Sequence, residues 1–232
     1  MAVRSAYALG MHREESMSEL LYALDQKIIR RNVWKTLFIL DRFLAASLGR
    51  PTAISEDDCS SKILPNGHLS IMAPPPSNGG MQPESAHGAS MDACVWSCHV
   101  IGEILGIFAN RKISTTMVQQ IANRNKDWRN ISNDNLRQHY NPRPRDPAEG
   151  IAKLHVDLFS LHSLILLTRQ IFVMHTWKME EQRSGLKKSH LNRDSPMAKW
   201  SEACVIASYH TLFLVRRVFD ADYLPKRNPF IM

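Results

Sequence analysis

The chain has 232 residues, enough for one large domain or two small ones. Its composition, 44% apolar and 22% charged, supplies a real core, and no uninterrupted apolar run reaches the roughly 18 residues of a membrane span. The formal net charge of +7 permits acidic partners, but the basic pairs Lys187-Lys188, Arg216-Arg217 and Lys226-Arg227 are scattered, which favours a solvated basic surface over a DNA-reading patch.

Residues 1 to about 10 read as a helix that stops at Gly10, with Val3, Tyr7 and Leu9 apolar and no capping residue ahead of them. Met11 to Leu24 is a polar connection. Asp25 to Leu48 is predicted to be an amphipathic helix. Ile29, Val33, Leu37, Leu40, Leu44 and Leu48 recur at steps of three or four and form one stripe, which Trp34, Phe38 and Phe43 widen. Gly49 can take the left-handed conformation that closes a helix, Pro51 cannot continue one, and Arg50 is pushed toward an extended conformation. Asp41 and Arg42 sit inside this apolar stretch, so each needs a partner. The expected pairing is Asp41 with Arg50, or with an arginine on a packed neighbour, as an ion pair specific to the fold.

Residues 52 to 64 form a turn-rich strip. Pro65 to Ser90 is of low complexity, with Pro74-Pro75-Pro76 and Gly79-Gly80, and reads as a disordered loop. Helical periodicity resumes at Asp92 through Val95, Trp96, Val100, Ile101, Ile104, Leu105 and Phe108, and is expected to run on to Ile121. Asp127 to Tyr140 is short and mixed. The segment Asn141 to Pro147 breaks the chain. A long helix is predicted from Ala148 to Met179, with Ile151, Leu154, Leu158, Leu161, Ile165 and Phe172 on its stripe. Its apolar stretch Leu158–Met174 is interrupted by His162, Thr168, Arg169 and Gln170, so no membrane partner is expected. Gln182 to Arg193 is a polar linker. The last helix is predicted from Ser195 to Asp222, with Pro196 in its first turn and Val205, Tyr209, Leu212, Val215 and Phe219 as its buried face. Nothing alternates with period two for long. The expected fold is all-α, an irregular multi-helix bundle with one disordered Pro/Gly/Ser-rich insertion.

Four cysteines, Cys59, Cys94, Cys98 and Cys204, are sparse for the length and read as free thiols in a reducing compartment. Cys94 and Cys98, with His99 beside them, are the obvious metal candidate, but zinc needs four ligands and no second pair matches their spacing. Core thiols are the expected reading. His155, His162 and His175 lie on the long helix and are expected to be core or surface groups, with pH sensing or ligand contact as the alternative. Gly79-Gly80 opens no helix and makes no phosphate loop, and neither a G-x-S-x-G elbow nor an H-E-x-x-H motif occurs. The paired acids Glu14-Glu15, Asp57-Asp58 and Glu180-Glu181 lie in polar segments. No catalytic, cofactor-binding or metal-binding residue is therefore assigned.

Several segments, in order, resemble one family. Ala2 to Arg13 is similar to the "A-x-x-A-x-x-L-G-L-H-R" segment of fungal transcription factors that carry a six-cysteine, two-zinc DNA-binding cluster. Arg30-Arg31-Asn32-Val33-Trp34, then Asp41-Arg42, then Gly49-Arg50-Pro51 resembles their "R-R-x-x-W…D-R…G-R-P" signature. Ile54 to Cys59 and Leu64-Pro65 resemble the strip that follows it. Leu161 to Arg169 resembles their "H-x-x-x-I-L-L-T-R-P" helix, with Gln170 where proline is usual, and Ala203 to Ser208 resembles the helix after it.

The resemblance implies a partial regulatory domain over 1–232, also called the middle homology region, of the xylanolytic-activator type. Residues 1–64 would be its motif-bearing helical segment, 65–91 a flexible loop and 92–232 its C-terminal helical part. It implies a non-catalytic role in nuclear transcription. DNA and zinc would belong to the family's N-terminal cluster, and no C-x2-C-x6-C run occurs here. With no cap before Val3 and the apolar run Asn228-Pro229-Phe230-Ile231-Met232 at the other end, both termini read as cut from something longer. The early helices of the domain are expected to be missing, so apolar surface is expected to stand uncovered. A homodimer and a small-molecule inducer are compatible partners. The alternatives are a small-molecule-binding helical module without DNA, or a helical enzyme of unrecognised type.

Overall fold

In the computed structural model, residues 1–17, 22–60, 86–109, 114–123, 147–184 and 194–220 are described. Among them the structure is all-helical and contains no strand. The helices are α1 (Ala2–Ala8), α2 (Leu24–Leu48), α3 (Ala86–Ala109), α4 (115–123), α5 (Pro147–Arg183) and α6 (Pro196–Asp220), with a short 3-10 turn at Glu15–Met17. The chain divides into two compact units, Met1–Glu103 and Ile104–Met232.

In the first unit, α2 begins and ends close to its predicted limits. Gly49 closes it at φ 65° and ψ 32°, and the Arg50 N–H donates to the Ala45 carbonyl at 3.1 Å. Gly10 likewise takes φ 66° after α1. The predicted face of α2 is corrected. Ile29, Val33, Leu40, Leu44 and Leu48 are exposed, and the buried residues are Lys27, Trp34, Phe38, Arg42, Ala45 and Ala46. α2 carries apolar residues on nearly every side, so periodicity alone does not fix its phase. Trp34 and Phe38, both fully buried, decide it because aromatic rings remove the most area from water.

α3 starts at Ala86, inside the stretch read as a loop, and ends at Ala109 rather than continuing to Ile121. Its residues 93–101 are buried without a break, the pattern of a helix packed on all sides. Lys35 bonds Asp92 at 2.5 Å and ties α2 to α3. The remainder of the predicted loop, the segment Asp127 to Tyr140, the break at Asn141 to Asp146 and most of the linker to Arg193 lie outside the described residues.

In the second unit, α5 and α6 pack against each other. α5 buries Leu154, Leu166, Leu167 and Ile171. Its buried hydroxyls are satisfied locally, Ser163 by the Ser160 carbonyl at 2.8 Å and Thr168 by the Leu164 carbonyl at 2.7 Å. The predicted face of α6 is inverted. Val205, Tyr209, Leu212, Val215 and Phe219 are 40% to 72% exposed, whereas Ser201, Cys204 and Ala207 are buried. These three small residues recur every third position and let two helices approach closely; the large side chains stand on the other face. Pro196 occupies the first turn as expected, and the Ser195 hydroxyl accepts the Ala198 N–H at 3.2 Å.

Two helical segments, Ser90–Ala109 and Gly150–Arg183, meet the length and hydropathy of a membrane span. This corrects the expectation that none would. A hydropathy average tolerates the interrupting polar residues that a count of uninterrupted apolar positions does not. The first segment is 56% buried inside the protein and forms core.

Candidate functional site

The Arg-Arg to Gly-Arg-Pro motif is a clamp that fastens three segments of the first unit to α2. The twin arginines hold the chain that precedes α2. Arg30 donates to the Leu9 carbonyl at 2.6 Å and lies 4.4 Å over the Tyr22 ring. Arg31 pairs with Glu14. One turn further, Trp34 meets Tyr7 edge-on with ring centroids 5.1 Å apart, and His12 at 5.8 Å. Tyr7 and His12 are themselves 4.7 Å apart. The strip 51–60 closes over this cluster. The Ser55 N–H donates to the Tyr7 hydroxyl at 3.2 Å, and the Ser60 N–H to the His12 carbonyl at 2.9 Å. Burial raises the Tyr7 phenol and lowers His12, and it pushes the Cys59 thiol up to about 11.

Asp41 and Arg42 anchor the other end of the strip. The Asp41 carboxylate accepts the Ala53 N–H at 2.9 Å and the Ile54 N–H at 3.0 Å. Arg42, 4% exposed, donates to Asp41 at 2.9 Å, to the Ile54 carbonyl at 3.0 Å and to Glu56 at 3.1 Å. Its guanidinium also stacks 4.5 Å over Phe38. The expected Asp41–Arg50 pair is therefore corrected: Arg50 is exposed, and Asp41 takes its own neighbour together with two backbone amides. A carboxylate next to a strip of free N–H groups gains more by capping them than by reaching one exposed cation.

Sequence reasoning missed the third side of this cluster. His99 on α3 places Nδ1 2.6 Å from Glu56, and its ring lies 5.0 Å from Phe38. An ionised carboxylate only accepts, so Nδ1 carries the proton. Burial alone would raise Glu56, but His99 and Arg42 hold it below the usual carboxylate range. Gly102 makes room for this arrangement: a Cβ there would lie 2.9 Å from the Arg42 Nε. The available signal was the buried arginine itself, which demands a carboxylate, with Glu56 the first acid after the helix stop.

Asp41, Arg42, Glu56 and His99 bond one another and the strip, leaving the buried Arg42 Nε and His99 Nε2 without partners among the described residues, and together they fix the strip 51–60 against α2 and α3. Cys94 and Cys98 are buried, and the Cys98 thiol is raised well above its ordinary value by burial. Among the described residues, no three His, Cys, Asp or Glu side chains converge as a metal ion requires. In the second unit, His155 and His162 are lowered by burial. A cavity beside Ile104, Phe108, Val118, Ile121 and Leu167 measures about 10 Å³, room for about one water and no inducer.

Residues 1–141 match the sequence model of the fungal specific transcription factor domain. An uncharacterized transcriptional regulatory protein of Schizosaccharomyces pombe is 46% identical over 57 residues, 25% of this chain and 7% of that protein. Transcription factor FBD3 of Fusarium pseudograminearum is 38% identical over 72 residues, 31% of this chain and 9% of that protein. Cutinase transcription factor 1 alpha of Fusarium vanettenii is 39% identical over 59 residues, 25% of this chain and 6% of that protein. The matched stretches thus span less than a tenth of these relatives. No solved structure matches the chain.

Proposed function

This chain belongs to the fungal specific transcription factor domain family, and on that premise we propose that it is the regulatory, non-catalytic domain of a nuclear transcription factor. DNA contact and zinc are assigned to a six-cysteine cluster of the parent protein; the four cysteines of this chain do not make one. The observation that carries the reading is the clamp on α2. It lies within the matched residues and uses the motif's Arg30, Arg31, Trp34, Asp41 and Arg42 to lock a loop to a helical core. That is the economy of a scaffold that holds or transmits a shape, since the clamp's charged groups face protein partners rather than a substrate.

The test is a tethered reporter. The chain is fused to an unrelated DNA-binding module in a fungal host, and transcription from a promoter carrying that module's site is measured. A regulatory domain changes output several-fold, up or down, relative to the module alone. Output identical to the module alone, with the fusion shown to be folded and nuclear, contradicts the proposal. DNA binding by the purified chain that falls steeply with salt and shows no sequence preference would report its charge only.

A further inference from the structure

The outer face of α6 is apolar, large and unusually regular. Val205, Ile206, Tyr209, Leu212, Phe213 and Phe219 are each 48% to 72% exposed. Aromatic side chains offer roughly 150–250 Å² each and aliphatic ones less, so these six present on the order of 600 Å². That is at the upper limit of what a monomer leaves in water, about 300–600 Å². It also approaches the roughly 800 Å² that each partner gives to a standard interface.

The charges at the two ends of this face say what covers it. Lys199 and Glu202 stand exposed near the start of α6, and Arg216, Arg217 and Asp220 stand exposed near its end, where Arg216 also bonds Asp220 at 3.0 Å along the helix. Lys199, Glu202, Ile206, Tyr209, Phe213, Arg216 and Asp220 follow one another at alternating steps of three and four, a single seam on a helix. In a parallel pair each charge would meet its own copy: Glu202 beside Glu202, Arg216 beside Arg216. An antiparallel pair about a two-fold axis between residues 209 and 210 does the reverse. It sets Glu202 opposite Arg216 and Arg217, Lys199 opposite Asp220, and Ile206 opposite Phe213. Tyr209, which stacks on Phe213 at 6.4 Å, then lies at the axis against its counterpart. The seam is self-complementary in the sense that a two-fold interface requires.

We propose that this face of α6 is the homodimer interface of the chain, formed by antiparallel pairing with a second copy. The test is sedimentation equilibrium of the full 232-residue chain between about 1 and 100 µM, with circular dichroism as a check on folding. The wild type dimerises. Tyr209→Arg places two cations at the axis and weakens the dimer at least about tenfold. Glu202→Arg and Arg217→Glu each weaken it, and the combined variant recovers part of the loss, because the 202–217 contact is again between opposite charges while Arg216 stays cationic. All three positions are exposed, so helix α6 itself should be retained. A wild type that stays monomeric throughout this range overturns the proposal. So does a dimer indifferent to Tyr209→Arg, which would use another face, and so does failure of the charge swap to rescue, which would refute the antiparallel register.

Discussion

Replacing Arg42 with methionine is expected to destabilise the first unit by about 3–5 kcal/mol. The side chain is 4% exposed and makes three hydrogen bonds, to Asp41, Ile54 and Glu56. Three charge-assisted bonds at roughly 1.5–3 kcal/mol each would sum to more. However, Asp41 keeps the Ala53 and Ile54 amides and Glu56 keeps His99, so neither carboxylate is left bare. Methionine preserves most of the packing on Phe38, so the loss isolates the charge and its fork geometry. Arg42→Lys keeps the charge without the fork and should lose about 1–2 kcal/mol. Urea unfolding followed by circular dichroism gives the global change. Hydrogen exchange at the Ala53 and Ile54 amides gives the local one: Asp41 still accepts both protons in the variant, but the strip opens more often without the Arg42 bonds to the Ile54 carbonyl and Glu56. An Arg42→Met protein within about 0.5 kcal/mol of wild type, with unchanged protection at those amides, would refute the clamp.

The glycines of α3 give a matched pair. Gly102→Ala pushes a methyl onto the fixed Arg42 Nε and should cost about 1–3 kcal/mol, whereas Gly106→Ala meets nothing within 4 Å and should add up to about 1 kcal/mol in thermal unfolding. Glu56 predicts a pH window. Its folded pKa lies below the ordinary value of 4.5, so its contribution is complete above that value and is lost as pH falls through the lower folded value. Glu56→Gln should therefore be less stable than wild type near neutrality, the gap closing in acid; a gap that widens below pH 4.5 would contradict the assignment. The four buried thiols should react with a disulfide reagent at least about tenfold more slowly in the native chain than after unfolding. Rapid native labelling of Cys98 would show that α3 is not core.

The helices and stop signals were legible because their codes are local. Gly49 and Pro51 end α2 through backbone conformation alone, and the spacing of apolar residues marked α2, α5 and α6 near their observed limits. Which face of each helix is buried was not legible, because that is decided by the neighbour. On α2 the aromatic pair Trp34 and Phe38 outweighs a longer aliphatic stripe. On α6 the small row Ser201, Cys204 and Ala207 fits against α5, and the bulky row is left outside. In the clamp, the need of Asp41 and Arg42 for partners was readable from burial cost, and the identity of those partners was not. Glu56 and His99 are far from Arg42 along the sequence or on another helix, and the backbone amides of Ala53 and Ile54 carry no side-chain signal at all. The family likeness rested on the order of short motifs, which a single phase error on a helix face does not disturb.

The central claim is that this chain acts in transcription control as part of a DNA-bound regulator. The most direct measurement is chromatin immunoprecipitation of the endogenous gene product, tagged at its own locus, combined with transcript profiling after deletion of the gene. The account predicts nuclear protein crosslinked at discrete promoters whose transcripts change on deletion. A product excluded from the nucleus, or one whose loss leaves the transcripts of every crosslinked promoter unchanged, would contradict it.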